Sequence, residues 1–226
     1  MIITVWRLQR ILITCLTLIG GLSAMVAVAQ TAPKSSTATS GHLPQKITWL
    51  IVGDSLSAEY GLKRGTGWVA LLEKRLAEKK ANIAIQNASI SGETTAGGRA
   101  RIASLIAKHK PAVVVIELGG NDALRGLDLK ATQANLNAIV TVSKASDAKV
   151  VLIGMRLPPN YGRSYGEQFE AVFKTFSQHN VSVMPYFFDG FGEDLAFFQA
   201  DRIHPSEAAQ ARMLENVWPA LGKMIR

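Results

Sequence analysis

The chain has 226 residues, of which 48% are hydrophobic and 19% are charged. This is enough apolar material for one substantial core and too short a chain to require two domains. The formal net charge is +8, but the basic residues are scattered and interleaved with acidic ones. This pattern favours an ordinary solvated surface over a nucleic-acid partner, and it leaves open a mild, transient contact with anionic membrane lipids.

The N-terminus has the features of a secretory signal. Arg7 and Arg10 precede an apolar stretch over residues 11–22, and Ala27-Val28-Ala29 then offers small residues at the spacing that a signal peptidase requires. A spanning anchor is the weaker alternative, because it needs about 20 apolar residues. We predict a signal peptide over residues 1–29, a flexible Thr- and Ser-rich leader over residues 30–45, and a periplasmic or secreted domain over residues 46–226.

Cysteine and histidine give no pattern of metal ligands. Cys15 is the single cysteine and lies inside the predicted signal, so the mature domain has no disulfide. His42, His109 and His179 have no ligand partner at metal spacing. The sequence therefore predicts no metal and no cofactor, and nothing in it demands more than a monomer.

Apolar runs and amphipathic segments alternate along the predicted domain. In chain order the pattern predicts a strand at 47–52, a helix at 67–80, a strand at 83–86, a helix at 95–108, a strand at 112–118, a helix at 130–143, a strand at 149–153, a helix at 165–178, a strand at 181–184 and a helix at 206–224. The run Val113-Val114-Val115-Ile116 is continuously apolar, which is typical of a parallel strand covered on both faces. We predict an α/β fold, a three-layer α/β/α sandwich with a parallel sheet of about five strands.

Four loops that follow predicted strands have distinctive sequences. In open parallel sheets ligands bind beyond the carboxyl ends of the strands, so these loops are expected to converge on one edge. They are Gly53-Asp54-Ser55, the segment from Asn87 to Gly92, Gly119-Gly120-Asn121-Asp122, and Met155-Arg156-Leu157-Pro158.

Ser55, Asp201 and His204 could form a hydrolytic triad. A serine hydroxyl is a weak nucleophile unless an imidazole accepts its proton, and a carboxylate that fixes the imidazole tautomer assists this transfer. Asp201 and His204 lie three positions apart in one predicted loop, where they can pair as orienting group and base. Acyl transfer also needs donors for the developing oxyanion, which the backbone N–H groups of Ser55 and Gly92 and the side-chain amide of Asn121 could supply.

These motifs in this order resemble the SGNH (GDSL) hydrolases, and within them the subgroup of multifunctional acyl-CoA thioesterases, lysophospholipases and arylesterases. The matching stretches are Gly53–Ala58, Asn87–Gly92, Glu117–Gly126, Met155–Pro158, Asn160–Gly162 and Asp201–Pro205. The resemblance implies Ser55 as nucleophile, His204 as base and then acid, Asp201 as its orienting residue, and the oxyanion donors already named.

The expected activity is that of an exported serine esterase or thioesterase that uses no cofactor and forms an acyl-serine intermediate. Its substrates would be acyl thioesters, aryl or short-to-medium acyl esters and lysophospholipids, flanked by the loop that contains Arg156, Leu157 and Pro158. A carbohydrate O-acetyl esterase on the same fold, or a non-catalytic lipid- or glycan-binding module, remains as an alternative.

For several positions the sequence allows more than one interpretation. Glu59 and Arg202 depart from the family pattern and could alter the rim of the pocket; Arg202 either contacts only solvent or Glu207, or attracts anionic substrates. Five of the eight phenylalanines lie between residues 187 and 198, where they either form an acyl-chain wall or seal the last helix onto the sheet. We expect Asp54 and Asp122 to hydrogen-bond backbone groups in their own turns.

Overall fold

A parallel sheet of five strands, in the order β2-β1-β3-β4-β5, organises residues 46–179 and 181–225, which are the residues that the computed structural model describes. The predicted signal peptide and leader, residues 1–45, lie outside the described residues. The strands are β1 (Ile47–Gly53), β2 (Ile83–Asn87), β3 (Val113–Glu117), β4 (Lys149–Ile153) and β5 (Ser182–Met184). The predicted α/β fold with a five-stranded parallel sheet is confirmed.

In the described part of the chain, six α-helices connect and cover these strands: α1 (Trp68–Glu78), α2 (Thr95–His109), α3 (Gly120–Leu124), α4 (Leu129–Ala145), α5 (Arg163–Lys174) and α6 (Gln210–Leu221). Helix α1 packs against α6, whereas α2 packs against α4 and α4 against α5. The two groups of helices correspond to the two outer layers of a sandwich. Among the described residues no helix has the length and apolar character needed to cross a membrane.

The core lies around the two central strands, β1 and β3. Every residue of β3 is buried, and so is β1 from Trp49 onward, because helices cover both faces of the sheet. Each fully buried Val, Ile or Leu contributes roughly 1.5–3 kcal/mol of transfer free energy. Helix α2 approaches closely at Gly98, where a Cβ atom would lie 2.4 Å from Leu118 Cδ1. This close contact fixes the start of α2 near the carboxyl edge of the sheet.

The structure differs from the predicted elements mainly at helix ends. The predicted helix at 165–178 ends at Lys174 and continues as a 3-10 helix over Thr175–His179. The last predicted helix is α6 flanked by 3-10 turns at Glu207–Ala209 and Gly222–Met224. The sequence missed α3, because its five residues include glycine, asparagine and aspartate, which are poor helix formers.

Candidate active site

Ser55 lies in a tight turn directly after β1. The Ala58 N–H donates to the Asp54 carbonyl at 3.0 Å, and the Tyr60 N–H donates to the Ser55 carbonyl at 3.2 Å, so the chain makes a helical turn as it leaves the sheet. Gly53 is required at the last position of the strand, since a Cβ atom there would lie 2.7 Å from both Glu117 Oε2 and Ser57 Oγ. The turn holds the Ser55 side chain at the carboxyl edge, with 9% of the residue surface exposed.

The loop that carries Asp201 and His204 reaches Ser55 from the far end of the chain. His204 Nε2 lies 2.9 Å from Ser55 Oγ, and His204 Nδ1 lies 2.6 Å from Asp201 Oδ2. With the Nδ1 proton donated to the carboxylate, Nε2 is left as the acceptor for the serine hydroxyl. The structure therefore brings together all three side chains of the expected triad.

Asp201 is held as a carboxylate by several donors. Its Oδ1 accepts the backbone N–H groups of Ile203 and His204, each at 3.0 Å, in addition to the imidazole bond at Oδ2. Partial burial raises the pKa of Asp201, but these hydrogen bonds outweigh it and hold the pKa below its usual value of 3.8. The residue is therefore ionised at neutral pH and fixes the orientation of the imidazole.

Tyr60 is a residue of the site that the sequence analysis missed. Its ring lies over the His204 imidazole, with 4.4 Å between the ring centroids and 36° between the planes. The Tyr60 carbonyl also accepts a hydrogen bond from Gln199 Nε2 at 2.9 Å, which joins the Ser55 turn to the loop of His204. Only its position five residues after Ser55 could have indicated this role.

The three expected oxyanion donors come from the loops after β1, β2 and β3. Within residues 46–179 and 181–225, neither the Ser55 N–H nor the Gly92 N–H has a protein acceptor. Gly92 has φ +80°, a conformation that favours glycine. Asn121 lies in the first turn of α3, and its Nδ2 donates to Asp54 Oδ2 at 2.9 Å. One hydrogen of this amide nitrogen is thus left for another acceptor.

A pair of buried carboxyl groups, Asp54 and Glu117, lies beneath the Ser55 turn. Glu117 Oε2 accepts the Ser57 hydroxyl at 2.8 Å and the Asp54 N–H at 3.2 Å, while Asp54 Oδ1 accepts the Leu56 N–H at 3.0 Å. Burial raises the pKa of Asp54 to about 6 despite these hydrogen bonds, and burial together with the Asp54 charge raises the pKa of Glu117 well above 4.5. Burial thus favours the protonated form of Glu117 far more than it would be favoured in water.

The roles expected for Asp54 and Asp122 have different outcomes. Asp54 bonds the backbone of its own turn through Leu56, as expected. The expectation for Asp122 is wrong, because its carboxylate accepts the Thr95 N–H at 2.9 Å and the Thr95 hydroxyl at 2.5 Å. Thr95 is the first residue of α2, where a carboxylate satisfies a free N–H and interacts favourably with the helix dipole. Asp122 therefore joins two loops of the site.

A pocket of about 560 Å³ opens beside the triad. Arg156, Leu157 and Pro158, the expected substrate-binding residues, line it together with Gly120, Leu124, Met155, Pro159, Phe169, Tyr186, Phe188, Gly192, Glu193, Leu195, Phe198, Arg202 and Ile203. Gly120 precedes the oxyanion candidate Asn121, and Ile203 precedes His204, so the pocket lies beside one oxyanion loop and beside the loop of His204. The wall is mostly apolar, whereas arginines stand at its edges.

The rings of the phenylalanine-rich segment are divided between the core and the pocket wall, and the acyl-chain wall stays a prediction. Phe187 is fully buried and packs edge-on against Trp68, with ring centroids 5.5 Å apart, so it belongs to the core. Phe188 and Phe198 line the pocket, and their rings meet edge-on at 5.6 Å. Phe191 is also buried and does not line the pocket, so the segment contributes rings both to the core and to the pocket wall.

The two departures from the family pattern have separate structural explanations. The Glu59 carboxylate accepts the backbone N–H groups of Gly65 and Gly67, so it closes the loop between β1 and α1. Arg202 has φ +59° and lines the pocket, and no carboxylate of the described residues lies within 4.0 Å of its guanidinium. The Arg202–Glu207 pair considered from the sequence is thus not formed.

Among the described residues no three His, Cys, Asp or Glu side chains gather in a way that could hold a metal ion. The acidic side chains at the site are already engaged by backbone N–H groups, hydroxyls, the Asn121 amide or the imidazole of His204.

A family model and the known proteins most similar to this chain indicate the same family. The model of the GDSL-like Lipase/Acylhydrolase family matches residues 51–212. Esterase TesA of Pseudomonas aeruginosa is 50% identical over 179 residues, which are 79% of this chain and 89% of that protein. Thioesterase 1/protease 1/lysophospholipase L1 of Escherichia coli K12 is 41% identical over 164 residues, which are 72% of this chain and 77% of that protein.

A solved structure agrees with these relatives. The crystal structure of TesA superposes with a TM-score of 0.77 at 50% identity, covering 79% of this chain and 99% of that one. The family match spans the loops of Ser55, Gly92, Asn121 and His204, so it includes every catalytic and oxyanion candidate of the site. The chain belongs to the GDSL-like Lipase/Acylhydrolase family, the SGNH hydrolases that its motifs resemble, and it is a hydrolase that acts on ester bonds.

Proposed function

We propose that Ser55, His204 and Asp201 cleave acyl esters and thioesters through an acyl-serine intermediate. The observation that carries this proposal is the hydrogen-bonded series from Ser55 Oγ to His204 Nε2 at 2.9 Å and from His204 Nδ1 to Asp201 Oδ2 at 2.6 Å. The lowered pKa of Asp201 supports it, because an ionised carboxylate stabilises the imidazolium that forms during reaction.

Each step follows from this geometry. Ser55 Oγ attacks the acyl carbon while its proton passes to His204 Nε2, and the carbonyl oxygen becomes an oxyanion. The bond to the alcohol or thiol then breaks, and that leaving group takes the proton from Nε2. Water attacks the acyl-serine ester by the same route, releasing the carboxylic acid and returning the proton to Ser55.

The oxyanion is assigned to three donors: the backbone N–H groups of Ser55 and Gly92 and the remaining Nδ2 hydrogen of Asn121. What supports the assignment is that both N–H groups lack a protein acceptor within the described residues. Donors that are already in place stabilise the charge of the transition state without a cost of reorganisation, and the loss of one typically lowers kcat about 10²–10³-fold.

The pocket favours an acyl chain over a carbohydrate. Its aromatic and aliphatic wall, with a volume of about 560 Å³, suits a short-to-medium acyl group. Arg202 at the edge carries a charge without an acidic partner and suits an anionic leaving group, such as the phosphates of coenzyme A or of a lysophospholipid. The thioesterase and lysophospholipase named among the relatives agree with this substrate class.

The direct test is a panel of p-nitrophenyl esters, acyl-CoA thioesters, a lysophospholipid and an acetylated sugar, assayed with wild type, Ser55→Ala and His204→Ala. We expect each variant to lose about 10⁴-fold or more in kcat. Ser104→Ala is the matched control, because its hydroxyl bonds only the Arg101 carbonyl on the exposed side of α2. Wild-type turnover by Ser55→Ala would exclude the mechanism, and turnover of the acetylated sugar alone would favour a carbohydrate esterase.

We also propose that the enzyme is exported and contacts lipid surfaces transiently. Exposed apolar side chains stand in loops at the carboxyl edge: Tyr60, Ile90, Leu127, Leu195 and Ile203. Single apolar residues are common on surfaces, but their grouping around a lipid-hydrolysing site fits a weak membrane contact. Leu195→Ser should weaken sedimentation with anionic vesicles, whereas Val142→Ser, a control on α4, should not. Export is tested separately by cell fractionation, which should find the protein outside the cytoplasm.

A further inference from the structure

Two side chains outside the triad connect the loops that supply the oxyanion donors. Ser55, Gly92 and Asn121 belong to three separate loops, and an oxyanion site works only if its donors keep one fixed arrangement. In this structure Asp54 and Arg125 are the side chains that bond the Asn121 amide, and Arg125 also bonds the Gly92 carbonyl. Asp122, which accepts the Thr95 N–H, and Asn87 Nδ2, which donates to the Ser57 carbonyl, also join these loops but do not contact that amide. The inference drawn from Asp54 and Arg125 rests on the proposed function, since it takes the three donors as the oxyanion site.

Arg125 reaches two of the three donor residues from one nitrogen. Its Nη2 donates to the Gly92 carbonyl at 2.9 Å and to Asn121 Oδ1 at 3.4 Å. Arg125 follows Asn121 by one helical turn, and its N–H donates to the Asn121 carbonyl at 3.3 Å, so the start of α3 sets the reach of the side chain. None of the carboxylates among the described residues lies within 4.0 Å of its guanidinium. The Arg125 guanidinium therefore bonds the loops of Gly92 and Asn121 and not a carboxylate.

Asp54 reaches the same amide from the opposite side. Its Oδ2 accepts from Asn121 Nδ2 at 2.9 Å, while its Oδ1 is fixed by the Leu56 N–H at 3.0 Å. Asp54 is also the residue that precedes Ser55, so the bond joins the nucleophile turn to α3. Glu117 holds this arrangement from below by accepting the Asp54 N–H.

Together the two contacts determine which way the Asn121 amide faces. Arg125 offers only donors and an ionised Asp54 offers only acceptors. A flipped amide would place its NH₂ against the guanidinium and its oxygen against the carboxylate, which loses both bonds and opposes like groups. The observed orientation leaves one Nδ2 hydrogen that is not engaged by Asp54.

We propose that Arg125 and Asp54 are positioning residues of the oxyanion site, which orient the Asn121 amide and, through Arg125, hold the Gly92 loop beside it. Neither residue is required to touch the substrate. Their effect should appear in the chemical step and not in ground-state binding of the acyl group.

The first test is Arg125→Met, which keeps the length of the side chain and removes its donors. With a p-nitrophenyl ester we expect kcat to fall about 10–100-fold, less than for the loss of a whole oxyanion donor, with KM within about twofold of wild type. Arg125→Lys, which retains one cationic donor, should recover part of the loss. The matched control is Arg99→Met, since Arg99 Nη1 donates to Asn135 Oδ1 at 3.2 Å between α2 and α4 and to none of the three donor residues.

A double-mutant cycle separates positioning from a general structural role. If Arg125 acts through Asn121, the loss in kcat for Asn121→Ala with Arg125→Met should be clearly smaller than the product of the two single losses. Asp54→Asn is an independent variant, because its NH₂ group must face either the Leu56 N–H or the Asn121 amide. We expect it to lower kcat as well.

The outcomes distinguish the two levels of proposal. Full activity of Ser55→Ala or Asn121→Ala would overturn the proposed mechanism itself. If those variants are impaired while folded Arg125→Met and Asp54→Asn both keep wild-type kcat, only the positioning role is overturned. The positioning role would also be overturned if Arg99→Met showed the same loss, or if the loss were confined to KM. The same holds if the double variant with Asn121→Ala lost the full product of the two single losses in kcat.

Discussion

Two pairs that contain carboxyl groups lie on opposite sides of Ser55: Asp201 with His204, and Asp54 with Glu117. The pKa values of their carboxyl groups are shifted in opposite directions. On the solvent side, Asp201 accepts three hydrogen bonds from its own loop, and its pKa is lowered. On the buried side, Glu117 is fully enclosed next to Asp54, and the pKa values of both carboxyl groups are raised. The number of donors and the access to water determine whether the pKa of each carboxyl group is lowered or raised.

The comparison shows that the two sides have different tasks. In the proposed mechanism, the solvent side must hold a negative charge close to an imidazole that becomes positive during reaction. The buried side must fill space and accept hydrogen bonds without placing a second full charge in the core, and the raised pKa of Glu117 favours this. Substitutions on the two sides should therefore have different signatures, the first in catalysis and the second in stability.

The largest expected effect is that of Asp201→Asn on catalysis. The amide oxygen would replace Oδ1 and accept the backbone N–H groups of Ile203 and His204, which places the NH₂ group opposite His204 Nδ1. The imidazole would then carry its proton on Nε2 and could not accept the Ser55 proton. We expect kcat/KM to fall about 10³–10⁴-fold with little change in thermal unfolding. A loss of less than tenfold would remove the distinction between the two sides.

The next effect is that of Glu117→Ala on stability. The substitution leaves the Ser57 hydroxyl and the Asp54 N–H without their acceptor and opens a cavity under the turn. We expect the free energy of unfolding to fall by about 2–4 kcal/mol, as measured by urea denaturation. Glu215→Ala is the control, since its exposed pair with Arg75 should contribute less than about 1 kcal/mol. Equal losses for both variants would contradict the assigned role of burial.

Glu117→Gln tests the protonation state rather than the packing. A group whose pKa is raised on folding contributes most below its unfolded value, here 4.5, and this contribution is lost as the pH rises toward the folded pKa. Within that window the unfolding free energy of wild type should fall with pH more steeply than that of Glu117→Gln, by about 1.4 kcal/mol per pH unit. Urea denaturation of both proteins at several pH values measures the difference. Parallel curves would mean that Glu117 is ionised when folded.

The smallest effect concerns the strained backbone on the solvent side. Arg202 has φ +59°, a region that costs a non-glycine residue about 1 kcal/mol, so Arg202→Gly should raise the unfolding free energy by about 0.5–1 kcal/mol. Lys110→Gly, at φ 45° after α2, is the control for backbone relief without loss of charge at the pocket. Only Arg202→Gly should reduce the salt dependence of acyl-CoA hydrolysis. Destabilisation by Arg202→Gly would indicate side-chain contacts that outweigh the strain.

The sequence predicted those features that local patterns determine. The continuous apolar run of β3 indicated a covered parallel strand, and the order of the loop motifs placed Ser55, Gly92, Asn121 and His204 at one edge of the sheet. The five-residue helix α3 was missed because glycine and asparagine favour turns as much as helix.

Local sequence patterns could not predict contacts between residues that are distant in the chain. Asp122 was expected to bond its own turn, but its carboxylate meets Thr95, which is 27 positions earlier in the chain. Likewise, Tyr60 contacts His204 and Arg125 contacts Gly92 because loops that are distant in sequence meet at the carboxyl edge of the sheet. A single sequence carries no signal for such pairs beyond the presence of suitable side chains.

The hydrogen bond between Ser55 and His204 spans 149 positions, and the buried bond from the Trp68 N–H to Gln210 Oε1 spans 142. Contacts of such separation close late in folding, because the entropy of closing a loop grows with its length and slows the formation of non-local contacts. Most of the sheet can form before the C-terminal segment docks, but hydrolysis cannot begin until it does. During refolding, the return of esterase activity therefore reports the last closure of the chain, whereas far-ultraviolet circular dichroism reports the earlier formation of helices and strands.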